Sequence, residues 1–194
     1  MNYILASASP RRKELFSKIA DEFEICPSNI PETVPDGLQA EKQPEYLAKI
    51  KAEDIAKKHP EDIVVGADTS VILGDEILGK PKDRKDAKRM LNALSGKTHK
   101  VITGCAVVKN GVTESFSVTT EVTFHLLDKN DVEQYLDTDE PNDKAGSYGI
   151  QGLAMIFVKE INGDYYNVVG LPINHLKDYL TCRWVYGNKQ NCNN

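Results

Sequence analysis

Asn110-Gly111 stands between two long runs rich in Val and Thr, residues 101–109 and 112–125. An Asn-Gly pair supplies the two positive-φ positions of a tight hairpin turn, so these runs must lie antiparallel and adjacent. The chain is thereby committed to a sheet with at least one long hairpin. Residues 63–67 form a short continuous apolar run, the pattern of a strand covered on both faces. Covering both faces needs helices, and helical spacing does appear. Residues 10–19 place Leu15, Phe16 and Ile19 on one side, and residues 44–58 place Leu47, Ile50 and Ile55 likewise before His59-Pro60 ends the pattern. Further helices are expected over 85–94, stopping at Ser95-Gly96, over 129–136 with Asp128 as cap, and after Pro172. Further strands are expected over 2–7 and 23–26. Hairpins are expected around Gly74-Asp75 and around Asn162-Gly163, the latter joining strands 156–161 and 165–169. The fold class is α/β: a single domain over residues 1–186 with a mixed β-sheet flanked by helices, and a frayed polar tail over 187–194.

The 194 residues suffice for one domain with a substantial core. A net charge of −5 argues against a general binder of nucleic-acid polymers, so basic side chains act locally. No apolar stretch approaches the roughly 20 residues that span a bilayer, and the N-terminus lacks the ordered regions of a signal peptide. Cys26, Cys105, Cys182 and Cys192 are scattered without a CxxC pair, which speaks against structural zinc. A reduced, cytoplasmic setting is expected, with Cys26 and Cys105 as core packing.

The polar residues concentrate in a few short strings. Ser7-Ala8-Ser9-Pro10-Arg11-Arg12 follows the first apolar run. Ser9 suits an N-cap and Pro10 the first helical position, so exposed N–H groups, two hydroxyls and two forked guanidinium groups converge where an anion can sit. The competing reading is a capped surface helix with solvated arginines. Gly66-Ala67-Asp68-Thr69 comes directly after the buried strand, and Asp68 can take a proton from water or hold a divalent ion. The alternative is a turn aspartate that bonds its own backbone. In Gly79-Lys80-Pro81 the proline holds Lys80 extended. Lys51 lies on the polar side of its helix and matters only if phosphates come near. Three glycines between Lys144 and Gly152 let a backbone approach a ligand closely, with Gln151 offering both a donor and an acceptor. Ser95-Gly96-Lys97-Thr98 is no P-loop: Leu91 fills the required glycine position, and a helix precedes the motif where a P-loop has a strand. His59, His99, His125 and His175 show neither metal spacing nor a triad context.

Together with Leu94-Ser95-Gly96-Lys97-Thr98-His99, Glu140-Pro141, Asp143-Lys144-Ala145-Gly146, Tyr148-Gly149-Ile150-Gln151-Gly152 and Asn167-Val168-Val169-Gly170-Leu171-Pro172, these strings resemble the Maf family of nucleotide pyrophosphatases in their order along the chain. The resemblance implies an elongated, curved mixed sheet with a central cleft, often in a homodimer. It implies hydrolysis of a nucleoside triphosphate between the α- and β-phosphates, assisted by a divalent cation, Mg or Mn. On that resemblance Asp68 is the general base, and Ser7, Ser9, Arg11, Arg12, Lys51 and Lys80 bind the triphosphate. Glu32 joins Asp68 at the metal; its local match is loose, since Pro31 replaces an often acidic neighbour. Arg11, Thr69 and Gln151 set specificity and resemble the branch acting on dTTP and UTP. The family's association with septum formation implies a second reading, a nucleotide-binding regulator of cell division that works through a protein partner.

Overall fold

The computed structural model describes residues 2–181; the expected polar tail lies outside the described residues. The chain alternates β1 (Tyr3–Leu5), α1 (Pro10–Phe16), β2 (Phe23–Ile25), α2 (Gln43–Ala56), β3 (Ile63–Leu73), β4 (Glu76–Leu78), α3 (Arg84–Leu94), β5 (Thr98–Lys109), β6 (Val112–Phe124), α4 (Lys129–Leu136), β7 (Val158–Asn162), α5 (Tyr165–Val169) and α6 (Ile173–Leu180). One mixed sheet runs β2-β1-β3-β5-β6-β7, with β4 hydrogen-bonded to β3. The β1–β2 and β1–β3 pairs are parallel, and the others are antiparallel. The hairpin at Asn110-Gly111 forms as expected, both residues at positive φ and Lys109 opposite Val112.

Alternation along the central strands divides the core. Leu5, Val65, Ala67, Cys105 and Val107 pack with Leu15, Phe16, Leu171 and Leu176 on one face. Ile4, Ala6, Val64, Ala106 and Val108 pack with Ala48, Ala52 and Ile55 of α2 on the other. A third cluster joins Val71, Val101 and Val122 to α3 and α4. The helix α2 lies unusually close to the sheet because small residues meet on both sides. A Cβ on Gly66 would stand 2.4 Å from the Ala48 carbonyl oxygen, and one on Gly104 would stand 2.3 Å from Glu45 N. The stripe expected from Leu47, Ile50 and Ile55 is therefore only part of the contact; Ala48 and Ala52, both fully buried, make the closest approach.

Two expectations are corrected. The segment 165–169 is a helix, not the second strand of a hairpin. Asp164 Oδ1 accepts from the Tyr166 and Asn167 amides, and Gly170, at φ 120°, closes the turn. Capping at both ends outweighs the strand preference of Tyr and Val. The run 63–67 does not end in a turn at Asp68 but continues to Leu73, so Asp68 is a mid-strand residue opposite Gly104. Pairing with the long β5 carries β3 through the Gly-Ala-Asp-Thr string.

One edge of β3 is interrupted. It pairs β1 through Val65 and β4 from Val71 onward, while β5 covers the opposite side throughout. Residues 66–70 thus border a notch. Among the described residues no helix is long and apolar enough to cross a membrane.

His99 is buried, with Nε2 2.7 Å from the Tyr148 hydroxyl, and this bond ties the glycine-rich segment to β5. Burial lowers its pKa from 6.5 to about 4. Between those values the unfolded chain holds a proton that the folded chain refuses, so stability falls as pH drops through that window. Denaturant titrations across it should show His99→Gln to be less acid-sensitive than the parent; equal slopes would clear His99 of the effect.

Candidate active site

The notch gathers most of the polar residues singled out in the sequence. Close packing of α2 on Gly66 brings Lys51 over β3, where its ammonium lies 2.7 Å from Asp68 Oδ1 and 2.7 Å from Glu32 Oε1. The Lys51 and Asp68 side chains are only 12% and 13% exposed, whereas Glu32 is 59% exposed. Burial holds the Asp68 carboxyl above its ordinary pKa, while the charges of Lys51 and Arg12 pull it down. Weakened solvation makes this carboxylate a stronger base than one in water, and the neighbouring cations only partly offset that effect.

On the other face of β3, Arg12 is anchored by four bonds. Its Nε donates to the Gly170 carbonyl (2.9 Å) and Nη1 to Ala67 O (2.9 Å) and Ser7 Oγ (3.2 Å). Nη2 donates to Thr69 Oγ1 (3.0 Å). Four of the five guanidinium N–H groups are thereby used, so Arg12 can offer a ligand at most one. Its main effect is to fasten α1, α5 and the open edge of β3 together. Burial lowers its pKa, opposed by Asp68, but a guanidinium stays charged throughout the working range.

The opening string folds as its sequence suggests, Pro10 beginning α1 and Ser9 Oγ accepting from the Arg12 amide at 3.4 Å. Ser7 Oγ in turn accepts from the Ser9 amide. Arg11 reaches across to Asp143 Oδ2 (3.7 Å), and Lys144 bonds Asp143 and the Glu140 carbonyl. The glycine-rich segment borders the far end of the notch: the Gly146 amide donates to Gly79 O, and a Cβ at Gly146 would crowd Val71. Lys80 follows Gly79 at that end. Lys80 and Gln151 are exposed and, among the described residues, bond none of the other candidates. The structure therefore brings Ser7, Ser9, Arg12 and Thr69 into one bonded group and Glu32, Lys51 and Asp68 into another, coupled across β3 by the charges of Arg12 and Asp68, with Arg11 at the rim.

Among the described residues no three His, Cys, Asp or Glu side chains form a metal cage. Glu32 and Asp68 nevertheless converge on one point, the Lys51 ammonium. A hard divalent cation takes one or two carboxylates together with phosphate oxygens, so this pair fits an ion shared with a phosphorylated ligand.

Two buried residues of the cluster were given no role from the sequence. Thr103 and Asn167 are both fully buried and bonded to each other and, through Thr103, to Thr69. Asp164 before and Gly170 after Asn167 are the helix start and stop signals that would have placed it.

Comparison with known proteins bears on the fold and the family. A HAM1 protein from Coxiella burnetii shares the fold, with TM-score 0.52 and 15% identity over 93% of this chain and 98% of that one. A Clostridium novyi (strain NT) protein named dTTP/UTP pyrophosphatase is 51% identical over 180 residues, 91% of this chain and 94% of its own. A Bacillus pumilus (strain SAFR-032) protein of the same name is 49% identical over 170 residues, 88% of this chain and 90% of its own. The family described as Maf-like protein matches residues 2–182, nearly the full length over which the notch and its cluster are built, and the chain belongs to that family.

Proposed function

We propose that this chain hydrolyses dTTP and UTP between the α- and β-phosphates, releasing the monophosphate and pyrophosphate. The observation that carries the reading is the partly buried Lys51 ammonium held between Asp68 and Glu32 at the open edge of β3. Such an ammonium can transfer from carboxylate to phosphate oxygens when a triphosphate enters. Asp68 Oδ1 is then released to orient a water and take its proton. The names of the relatives support the choice of substrates.

In this reading Ser7, Ser9, Arg11, Arg12, Lys51 and Lys80 line the path of the triphosphate. Charge building on the departing pyrophosphate is met by Lys51 and Lys80, with Arg12 supplying its one remaining N–H. Thr69, Gln151 and Arg11 address the nucleoside. Glu32 and Asp68 hold a divalent ion, Mg or Mn, which when bound adds positive charge beside the phosphates. The free thiols of Cys26 and Cys105 suit a reduced cytoplasm.

Pyrophosphate release from a panel of canonical nucleoside triphosphates, with Mg or Mn, tests the reading. Turnover concentrated on dTTP and UTP is the expected result. Nucleotide binding without release from any member would overturn it in favour of a regulator acting through a protein partner.

A further inference from the structure

The bonds around Thr69 have a fixed direction. A guanidinium can only donate, so Thr69 Oγ1 accepts from Arg12 Nη2 at 3.0 Å. A carbonyl can only accept, so the Thr103 hydroxyl spends its single proton on Asn167 O at 2.9 Å. The remaining contact, 2.9 Å between the two threonine oxygens, is then made with the proton of Thr69. Asn167 cannot reverse this order. Its Nδ2 donates to Val101 O (2.9 Å) and Thr120 Oγ1 (3.0 Å), and its Oδ1 accepts from the Thr103 amide (3.1 Å). Turning the amide over would set two oxygens against each other and two N–H groups together. Thr120 in turn donates to Asp164 O at 2.9 Å. The polarity runs from Arg12 through Thr69 and Thr103 to the α5 backbone without a break.

Thr69 alone among these threonines keeps partial exposure; Thr103 and Thr120 are fully buried. With its proton committed inward and one lone pair taken by Arg12, the Thr69 oxygen offers the solvent side a lone pair and nothing else. Ionised phosphate oxygens are also acceptors only, so this hydroxyl cannot bond the triphosphate. Its partner must be a donor on the nucleoside. A ribose hydroxyl can turn to suit either polarity and gives no selection. A ring nitrogen cannot turn. At N3 uracil and thymine carry a proton, whereas cytosine presents a lone pair there. The nearest donor of cytosine, its N4 amino group, is displaced to the neighbouring ring position, so a base seated with N3 toward Thr69 is told apart.

We propose that Thr103 and Asn167 are specificity-positioning residues: by drawing the Thr69 proton inward they make the site select pyrimidines protonated at N3 and reject cytosine. The inference rests on the pyrimidine triphosphatase reading above and adds the device that enforces it. A site built to accept one hydrogen bond discriminates strongly against a ligand that leaves it unmade.

The test compares UTP, CTP, 3-methyluridine triphosphate and 5-methyluridine triphosphate on the wild type, Thr103→Val and Thr103→Ser. The wild type should accept the 5-methyl compound and lose about tenfold or more in kcat/KM on the 3-methyl compound. In Thr103→Val the Thr69 proton is free to turn outward, so the UTP-to-CTP ratio of kcat/KM should fall about tenfold, mainly through KM. Thr103→Ser should restore it. A purely structural role would lower both substrates alike, and that outcome, or equal use of the 3-methyl and 5-methyl compounds, would overturn the inference. If Thr103→Val does not fold, the wild-type pair of methylated nucleotides decides. A wild type inactive on every nucleotide would instead remove the underlying reading and the inference with it.

Discussion

Asp68→Asn should release pyrophosphate about two to four orders of magnitude more slowly than the wild type, the range typical of a lost general base. Asn keeps the shape of the side chain and a hydrogen-bonding oxygen for Lys51, which retains Glu32 as its second partner. The melting temperature should therefore not drop with the rate. Burial already disfavours the Asp68 charge in the folded protein, so the native carboxyl keeps its proton to a higher pH than the unfolded one. Folding stability consequently falls as pH rises from the ordinary aspartate value of 3.8 through the raised native one, and the Asn variant lacks that decline. The rate runs the opposite way. It climbs over the same range as Asp68 loses its proton, and the Asn variant should show no such limb. Steady-state pyrophosphate assays across pH, beside thermal melts, measure both. A folded Asp68→Asn protein with near-normal turnover would assign the base elsewhere, with Glu32 the first residue to replace.

Gly104→Ala should have the largest effect on stability. The added Cβ would lie 2.3 Å from both Glu45 N and Pro44 C and 2.4 Å from Glu45 Cα, all main-chain atoms at the start of α2. A flexible side chain could turn aside, but a helix can only shift as a body. Overpacking of this kind costs about 3 kcal/mol. For a chain of this size that is a fall of roughly 6–12 °C in melting temperature. The shifted helix carries Lys51, so turnover should fall even in the fraction that stays folded. Gly79→Ala is the natural control: nothing lies within 4 Å of a Cβ there. Circular-dichroism melts of the two variants test this directly. Equal melting temperatures would mean that α2 tolerates a wider separation from the sheet than its alanines indicate.

Much of the fold was legible where local chemistry and tertiary structure agree. Asn110-Gly111 set its hairpin, Ser9-Pro10 began α1, and Asp128 capped α4. The misreadings arose where a distant partner decides. Gly66 and Asp68 look like a turn in isolation, yet pairing with β5 keeps them extended. Tyr165 to Val169 look like a strand until the caps at Asp164 and Gly170 are weighed. For the candidate site, residue types and strings singled out residues that the fold draws toward one stretch of β3, but connectivity could not be read from them. Nothing in the sequence says that Lys51 meets Glu32 as well as Asp68, since that contact depends on how deeply Ala48 and Ala52 let α2 settle. Nor does it say that Arg12 spends four of its donors within the protein, which moves its weight from binding a phosphate to holding the frame. Thr103 and Asn167 stayed hidden for a related reason. A threonine in a Val- and Thr-rich strand and an asparagine in a short helix carry no local sign that their bonds align.

The interruption along β3 also bears on how this chain avoids its own copies. Unpaired strand edges invite another polypeptide to add itself to the sheet, the first step of aggregation. Here the unpaired stretch lies between β1 and β4 on the same edge. An incoming strand long enough to bond residues 66–70 would collide with one or both of them. Arg12 already occupies the Ala67 carbonyl, and Gly66, Ala67 and Ser70 are buried, so the interrupted edge is too hemmed in to template a fibril.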